Sequence, residues 1–171
     1  PFERGQTGLL EDPQATRVAQ WIDEDPLDAS GAPRKRLLLT HHQFLTVYDH
    51  RLSDVLRRDE PPPMHTKLSD VLDSGAITAW IWGHEHRCMA FEHAKVPFPR
   101  CLGHGGQLLQ AHAPGTQPAP PGTWEETASF RDAGHTWGAF GFAVLDIEGA
   151  DIDVRYALDG QQPTVATEKF T

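Results

Sequence analysis

The chain has 171 residues, 39% of them hydrophobic, which suits one domain with a real core and leaves too little for two independent ones. A formal charge of -9, with a basic run no longer than Arg34-Lys35-Arg36, excludes an extended nucleic-acid track or an anionic membrane surface as the main partner. No apolar run is long enough to span a bilayer, and Cys88 and Cys101 lack the spacing of a disulfide framework or zinc knuckle, which favours a reducing, cytoplasmic setting.

The first eleven residues carry Gly5 and Gly8 with no periodicity and read as loop. Asp12 as an N-cap, Pro13 at the first helical position, and Ala15, Val18, Ala19 and Ile22 at helical spacing predict a helix from about Pro13 to Asp25, ended by Pro26. A turn-rich linker leads to Arg34-Lys35-Arg36, the solvated entrance of a short buried strand, Leu37 to Thr40, which runs into His41-His42. Leu52, Val55 and Leu56 predict a helix over Asp49 to Arg58, stopped by Pro61-Pro62-Pro63. Met64, Leu68, Val71 and Leu72 repeat the helical spacing, with Gly75 as C-terminal cap.

Ala76 to Trp82 is apolar apart from Thr78 and reads as a strand buried on both faces, with Trp80 and Trp82 in the core. It ends at Gly83-His84-Glu85-His86. Helix alternating with strand predicts parallel strands joined by crossovers, an arrangement that collects ligand sites at the carboxyl ends of the strands. Both imidazole groups occupy such ends. Beyond His86, the runs Cys88 to Glu92, Arg100 to Gly103, Gly141 to Ile147, Asp151 to Ala157 and Pro163 to Phe170 predict a mainly antiparallel set. The Pro-, Gly-, Ala- and Thr-rich stretch from Gly105 to Gly138, loop-like above all over Ala113 to Gly122, is expected to be a long functional loop on the substrate side.

In extended backbone, positions i and i+2 point the same way, so His84 and His86 are expected to aim at one small volume. If the two His-bearing strands neighbour one another, His41 joins them. Three imidazoles without a thiolate suit zinc, iron, manganese or nickel and leave room for water. A divalent ion there would lower the pKa of that water and polarise a phosphoryl or carbonyl oxygen. Glu85 points the opposite way and is expected in solvent or behind the ligands. His50, His65, His93, His112 and His135 have no partner spacing, and most are expected at the surface. His104, in Gly103-His104-Gly105-Gly106, marks a tight turn or a close approach to a ligand.

With Thr40-His41-His42 and Gly83-His84-Glu85-His86 at strand ends, and a closing strand such as Gly141 to Ile147, the chain resembles the C-terminal half of the calcineurin-like metallophosphoesterases. The resemblance implies an α/β (α+β) fold, part of a four-layer αββα sandwich. It also implies two divalent metal ions, with His41 and His84 on one and His86 on the other. A metal-bridging hydroxide would hydrolyse a phosphoester substrate, with His42 orienting the site or touching substrate. The family's earlier motifs, Asp-x-His, Gly-Asp-x-x-Asp and Gly-Asn-His-Asp/Glu, occur nowhere in the 171 residues. The expectation is therefore a C-terminal portion, residues 1–171, of one domain whose N-terminal half is absent from the chain, the isolated piece being inactive. Two other readings stand beside it: a degenerate module that binds metal or scaffolds without catalysis, and a self-contained mononuclear metal hydrolase.

Overall fold

The computed structural model describes residues 10–47, 63–107, 109–111, 121–160 and 166–170. The expected helix over Asp49 to Arg58, His50, His112 and most of the stretch from Ala113 to Gly122 lie outside them.

Helix α1 (Asp12–Glu24) starts one residue earlier than its Pro suggests. Glu11 is the N-cap, and its backbone N–H donates to Gln14 Oε1 at 3.2 Å, so the polar side chain three residues on closes the first turn. Its C-terminal carbonyls are met by Arg36, whose guanidinium donates to the backbone oxygens of Ile22 at 2.9 Å and Asp25 at 2.7 Å. The basic run before the first strand therefore caps a helix end, where the macrodipole favours positive charge. Strand β1 (Leu37–Thr40) follows, then the short helices α2 (Pro63–Lys67) and α3 (Ser69–Asp73). Gly75, at φ 67°, turns the chain out of α3, and its N–H is bonded to Leu72 O at 3.1 Å.

The strands are β2 (Ala79–Trp82), β3 (Cys88–Phe91), β4 (Phe98–Leu102), β5 (Gly122–Glu125), β6 (Ser129–Asp132), β7 (His135–Gly138), β8 (Gly141–Glu148), β9 (Asp151–Leu158) and β10 (Ala166–Phe170). A five-stranded mixed sheet has the order β1-β2-β4-β3-β5; β1, β2 and β4 run parallel, and β3 and β5 pair antiparallel. A second, antiparallel sheet has the order β10-β9-β8, and β6 and β7 form a hairpin. The expected mixture of early parallel crossover and later antiparallel strands is present.

Among the described residues these elements make three layers. One face of the mixed sheet gives Trp80, Trp82, Met89, Phe91 and Cys101 to a core shared with Ala15, Val18, Ala19 and Ile22 of α1 and with Met64, Leu68, Val71 and Leu72. The other face gives Ala79, Ile81 and Cys88 to a core shared with Ile152, Val154, Tyr156 and Phe170 of the second sheet. All four residues of β2 are buried, as its apolar run requires of a strand covered on both sides.

Two expectations are corrected. β1 is not a buried strand but an edge strand, and Leu39 on it is 66% exposed, because nothing among the described residues pairs with its outer side. The stretch from Gly105 to Gly138 is not one loop: it contains β5, β6 and β7, with β5 completing the mixed sheet. The β6–β7 hairpin closes through Ala133 at φ 48° and Gly134 at φ 83°, the two consecutive positive φ values of a tight two-residue turn. Strands of four residues set among Gly, Pro and Thr leave too short an alternation to stand out.

Candidate metal centre

The site rests on the parallel pairing of β1 with β2, in which Thr40 lies opposite Trp82. That register delivers His41 and the segment Gly83-His84 side by side, and His41 O accepts the N–H groups of both Gly83 at 3.2 Å and His84 at 2.9 Å. Thr40 is the local organiser. Its hydroxyl accepts from Trp80 Nε1 at 2.9 Å and donates to His42 O at 2.8 Å, so the buried indole finds its partner and the chain after β1 is held in place. Phe44 is fully buried, stacked on Trp80 with ring centroids 4.1 Å apart, and anchors the next turn.

The result is a cluster of His41, His42 and His84, one ring nitrogen from each lying within 4.8 Å of the others. The ring centroids of His42 and His84 are 4.5 Å apart, and His84 Nδ1 lies 3.3 Å from His41 Nε2. Two ligands at about 2.05 Å on a tetrahedral ion are separated by roughly 3.3 Å, so this last pair already has a ligating spacing. His41 is exposed and His42 and His84 are half-buried, which leaves the cluster open to solvent on one side. Imidazole nitrogens suit a borderline ion such as zinc or nickel, and no carboxylate joins the cluster among the described residues.

His86 is not brought into this group. The backbone at His84 and Glu85 is a turn rather than the extended chain that the i, i+2 argument needs, with the N–H of His86 bonded to Gly83 O at 3.1 Å and His86 itself at φ 53°. His86 instead lines a separate cleft with Arg87, His104 and Glu125. His42, expected only to orient the site or touch substrate, stands among the candidate ligands.

Glu85 accepts from Trp82 Nε1 at 3.0 Å and from the Thr46 hydroxyl, so it ties the turn after β2 to the loop after β1, the two segments that bear the imidazoles. The signal for Glu85 was a buried Trp three residues earlier with an N–H to satisfy; nothing in the sequence marks Thr46. His65 and His93 are not free at the surface: both are half-buried against Phe44, with their own centroids 6.0 Å apart, and His93 is held below its ordinary pKa by burial and by His65. His104 occupies the expected turn but is buried, and that burial pushes its pKa down to about 4. Cys88 and Cys101 are free, buried thiols in different cores, the second pushed up to about 12 by burial and the first higher still, so neither is a ready thiolate ligand. No helix among the described residues is long and apolar enough to cross a membrane. Compared with known proteins, the chain matches no protein-family model and no curated protein.

Proposed function

We propose that the chain is the metal-binding C-terminal part of a metallophosphoesterase domain that hydrolyses phosphoester bonds. The observation that carries this reading is the convergence of His41, His42 and His84 at the carboxyl ends of two adjacent parallel strands, where such sheets collect their ligands. His41 and His84 hold one divalent ion, and His42 completes its shell or meets the substrate beside it. A divalent ion supplies a water of lowered pKa and charge neutralisation at phosphorus. Two stacked sheets with helices on one outer face agree with three layers of an αββα sandwich, the fourth and the acidic ligands belonging to the other half of the domain. The open edge of β1, with Leu39 exposed, is where further strands would join.

A single-ion hydrolase is the second reading, favoured by the same cluster, because three imidazoles with an open side are sufficient for one ion and a water. Hydrolysis of a chromogenic phosphodiester by the full-length domain tests the first. Chelator should abolish turnover, manganese or zinc should restore it, and His84→Ala should lower kcat at least tenfold, roughly the loss that even a ligand's supporting partner causes. Turnover that survives both chelator and His84→Ala would end the proposal.

A further inference from the structure

The second imidazole group lies across the turn from the cluster. Gly103, at the end of β4, packs so tightly on this turn that a Cβ there would fall 1.7 Å from Gly83 O and 2.7 Å from His86 N. Only glycine allows that approach, and it sets His104 next to His86. A second glycine completes the cradle: a Cβ on Gly141 would fall 2.4 Å from His104 Nε2. The His104 ring is thus fixed between the turn and the start of β8, 94% buried by its 6% exposure, yet neither ring nitrogen has a hydrogen-bond partner among the described residues. Such a group is costly unless something outside the chain satisfies it.

Beside it is room of about 30 Å³, bordered also by His86, Gln107 and Gln110. A water needs only about 10–15 Å³ of such space, so the cleft admits a terminal group of roughly two or three heavy atoms. The charges around it are already committed. Arg87 is paired with Glu125 at 2.7 Å, and Glu126 Oε1 accepts from the N–H of Ala128 at 2.7 Å. Arg87, the one Lys or Arg lining the cleft among the described residues, is already in an ion pair, and the Glu126 carboxylate repels an anion. Among the described residues the cleft itself gathers no group of three ligand atoms, the His41, His42 and His84 cluster being the one such group.

We propose that the cleft between His86 and His104 is a subsite for an uncharged group ending in a hydroxyl or primary amide, hydrogen-bonded by the His104 imidazole. Its place follows from the phosphoester reading, on which it rests: His86 is two residues from His84, so the cleft receives the part of an ester that extends away from the reacting phosphorus. His104 is then a specificity residue, and Gly103 and Gly141 are what hold it there.

Long-range proton–nitrogen correlation NMR of the imidazole rings in the metal-free chain tests this without any turnover. Ethylene glycol and acetamide serve as separate probes, with inorganic phosphate and zinc as two further arms. The glycol or the amide should shift the His104 ring nitrogens saturably, phosphate should not, and zinc should move His41, His42 and His84 first. Gln107→Ala combined with Gln110→Ala should weaken the glycol or amide response about fivefold, the effect of losing a hydrogen bond. His104 unmoved by both uncharged probes, or moved preferentially by phosphate, overturns the subsite; His104 moving in step with His84 on zinc addition reassigns the cleft to metal and overturns it equally. If the uncharged probe binds as expected while the metal-loaded domain turns over no phosphoester, the reading of the cluster fails and the subsite stands.

Discussion

His86 holds φ at 53°, a conformation that costs an L-residue roughly 1 kcal/mol, though histidine enters it more readily than most. That angle belongs to the turn that sets His86 apart from the His41, His42 and His84 group, and it gives a direct comparison. His84→Ala should weaken zinc binding by a factor of about ten to a hundred or more, whereas His86→Gly should leave the affinity nearly unchanged and raise stability by up to about 1 kcal/mol through relief of the strained turn. Titration calorimetry and urea unfolding on the same three proteins read both effects. Equal loss of zinc from the two variants would place His86 on the same ion as His84. His104 carries a pH signature of its own. Its folded pKa of about 4 lies below the ordinary 6.5, so between these values the unfolded chain holds a proton that the folded chain refuses. Stability contributed by this residue is therefore complete above pH 6.5 and is lost as pH falls toward 4, by up to about 3 kcal/mol. The His93 shift has the same sign and adds to the slope. His104→Gln should flatten the dependence of the urea midpoint on pH over this window; an unchanged slope would show that the buried ring does not titrate with folding.

At the scale of elements, the site depends on how closely β4 approaches the turn after β2. Gly103→Ala places a methyl group on Gly83 O, and rigid backbone on both sides can yield only by moving the turn. The expected cost is about 3 kcal/mol, at the upper end for overpacking, accompanied by weaker zinc binding because His84 moves with the turn. Urea unfolding and calorimetry on Gly103→Ala check the pair; stability loss with unchanged affinity would show that the cluster is independent of β4. The elements that place the cluster were legible for a physical reason. β2 is buried on both faces, so its apolar run is unbroken, and α1 shows Ala15, Val18, Ala19 and Ile22 because one stripe of it faces the core. β1 was legible as a strand but not as an edge, since Leu37, Leu38 and Leu39 look the same whether or not a neighbour covers them. β5, β6 and β7 were not legible, because four residues hold at most two of either face. The cluster itself was legible in part: strand ends identified His41 and His84, while the gathering of His42 with them and the turn that sets His86 apart from this group are backbone properties that residue spacing does not carry.

At the scale of the whole molecule, the three described layers bury both faces of the mixed sheet and leave the imidazole cluster at its rim. The outer face of the second sheet presents Asp146, Asp153, Arg155 and Lys169, with ion pairs Arg155–Asp146 and Lys169–Asp151 both at 2.7 Å, and so is adapted to water along much of its width. That face is not uniformly polar: Phe142, 54% exposed and opposite Ala157, stands on it beside these charges, while Leu39 on β1 and Ile147 on β8 are exposed as well. β1 and β8 are both edge strands, so these exposed apolar side chains gather at the open edges of the two larger sheets.

The last expectation concerns what these 171 residues can do alone. Two divalent ions placed about 3.5 Å apart repel strongly, and sites that hold such a pair offset the repulsion with anionic ligands. The imidazoles of His41, His42 and His84 bring no negative charge, and the carboxylate closest in sequence, Glu85, is turned toward Trp82 and Thr46. The cluster is therefore expected to hold at most one ion, and loosely. The purified chain should therefore bind zinc through these histidines, yet turn over a chromogenic phosphodiester no faster with manganese than its His41→Ala variant does. Manganese-dependent hydrolysis by the chain alone, lost in His41→Ala and with chelator, would show that the cluster is a complete centre and would move the assignment to the single-ion hydrolase.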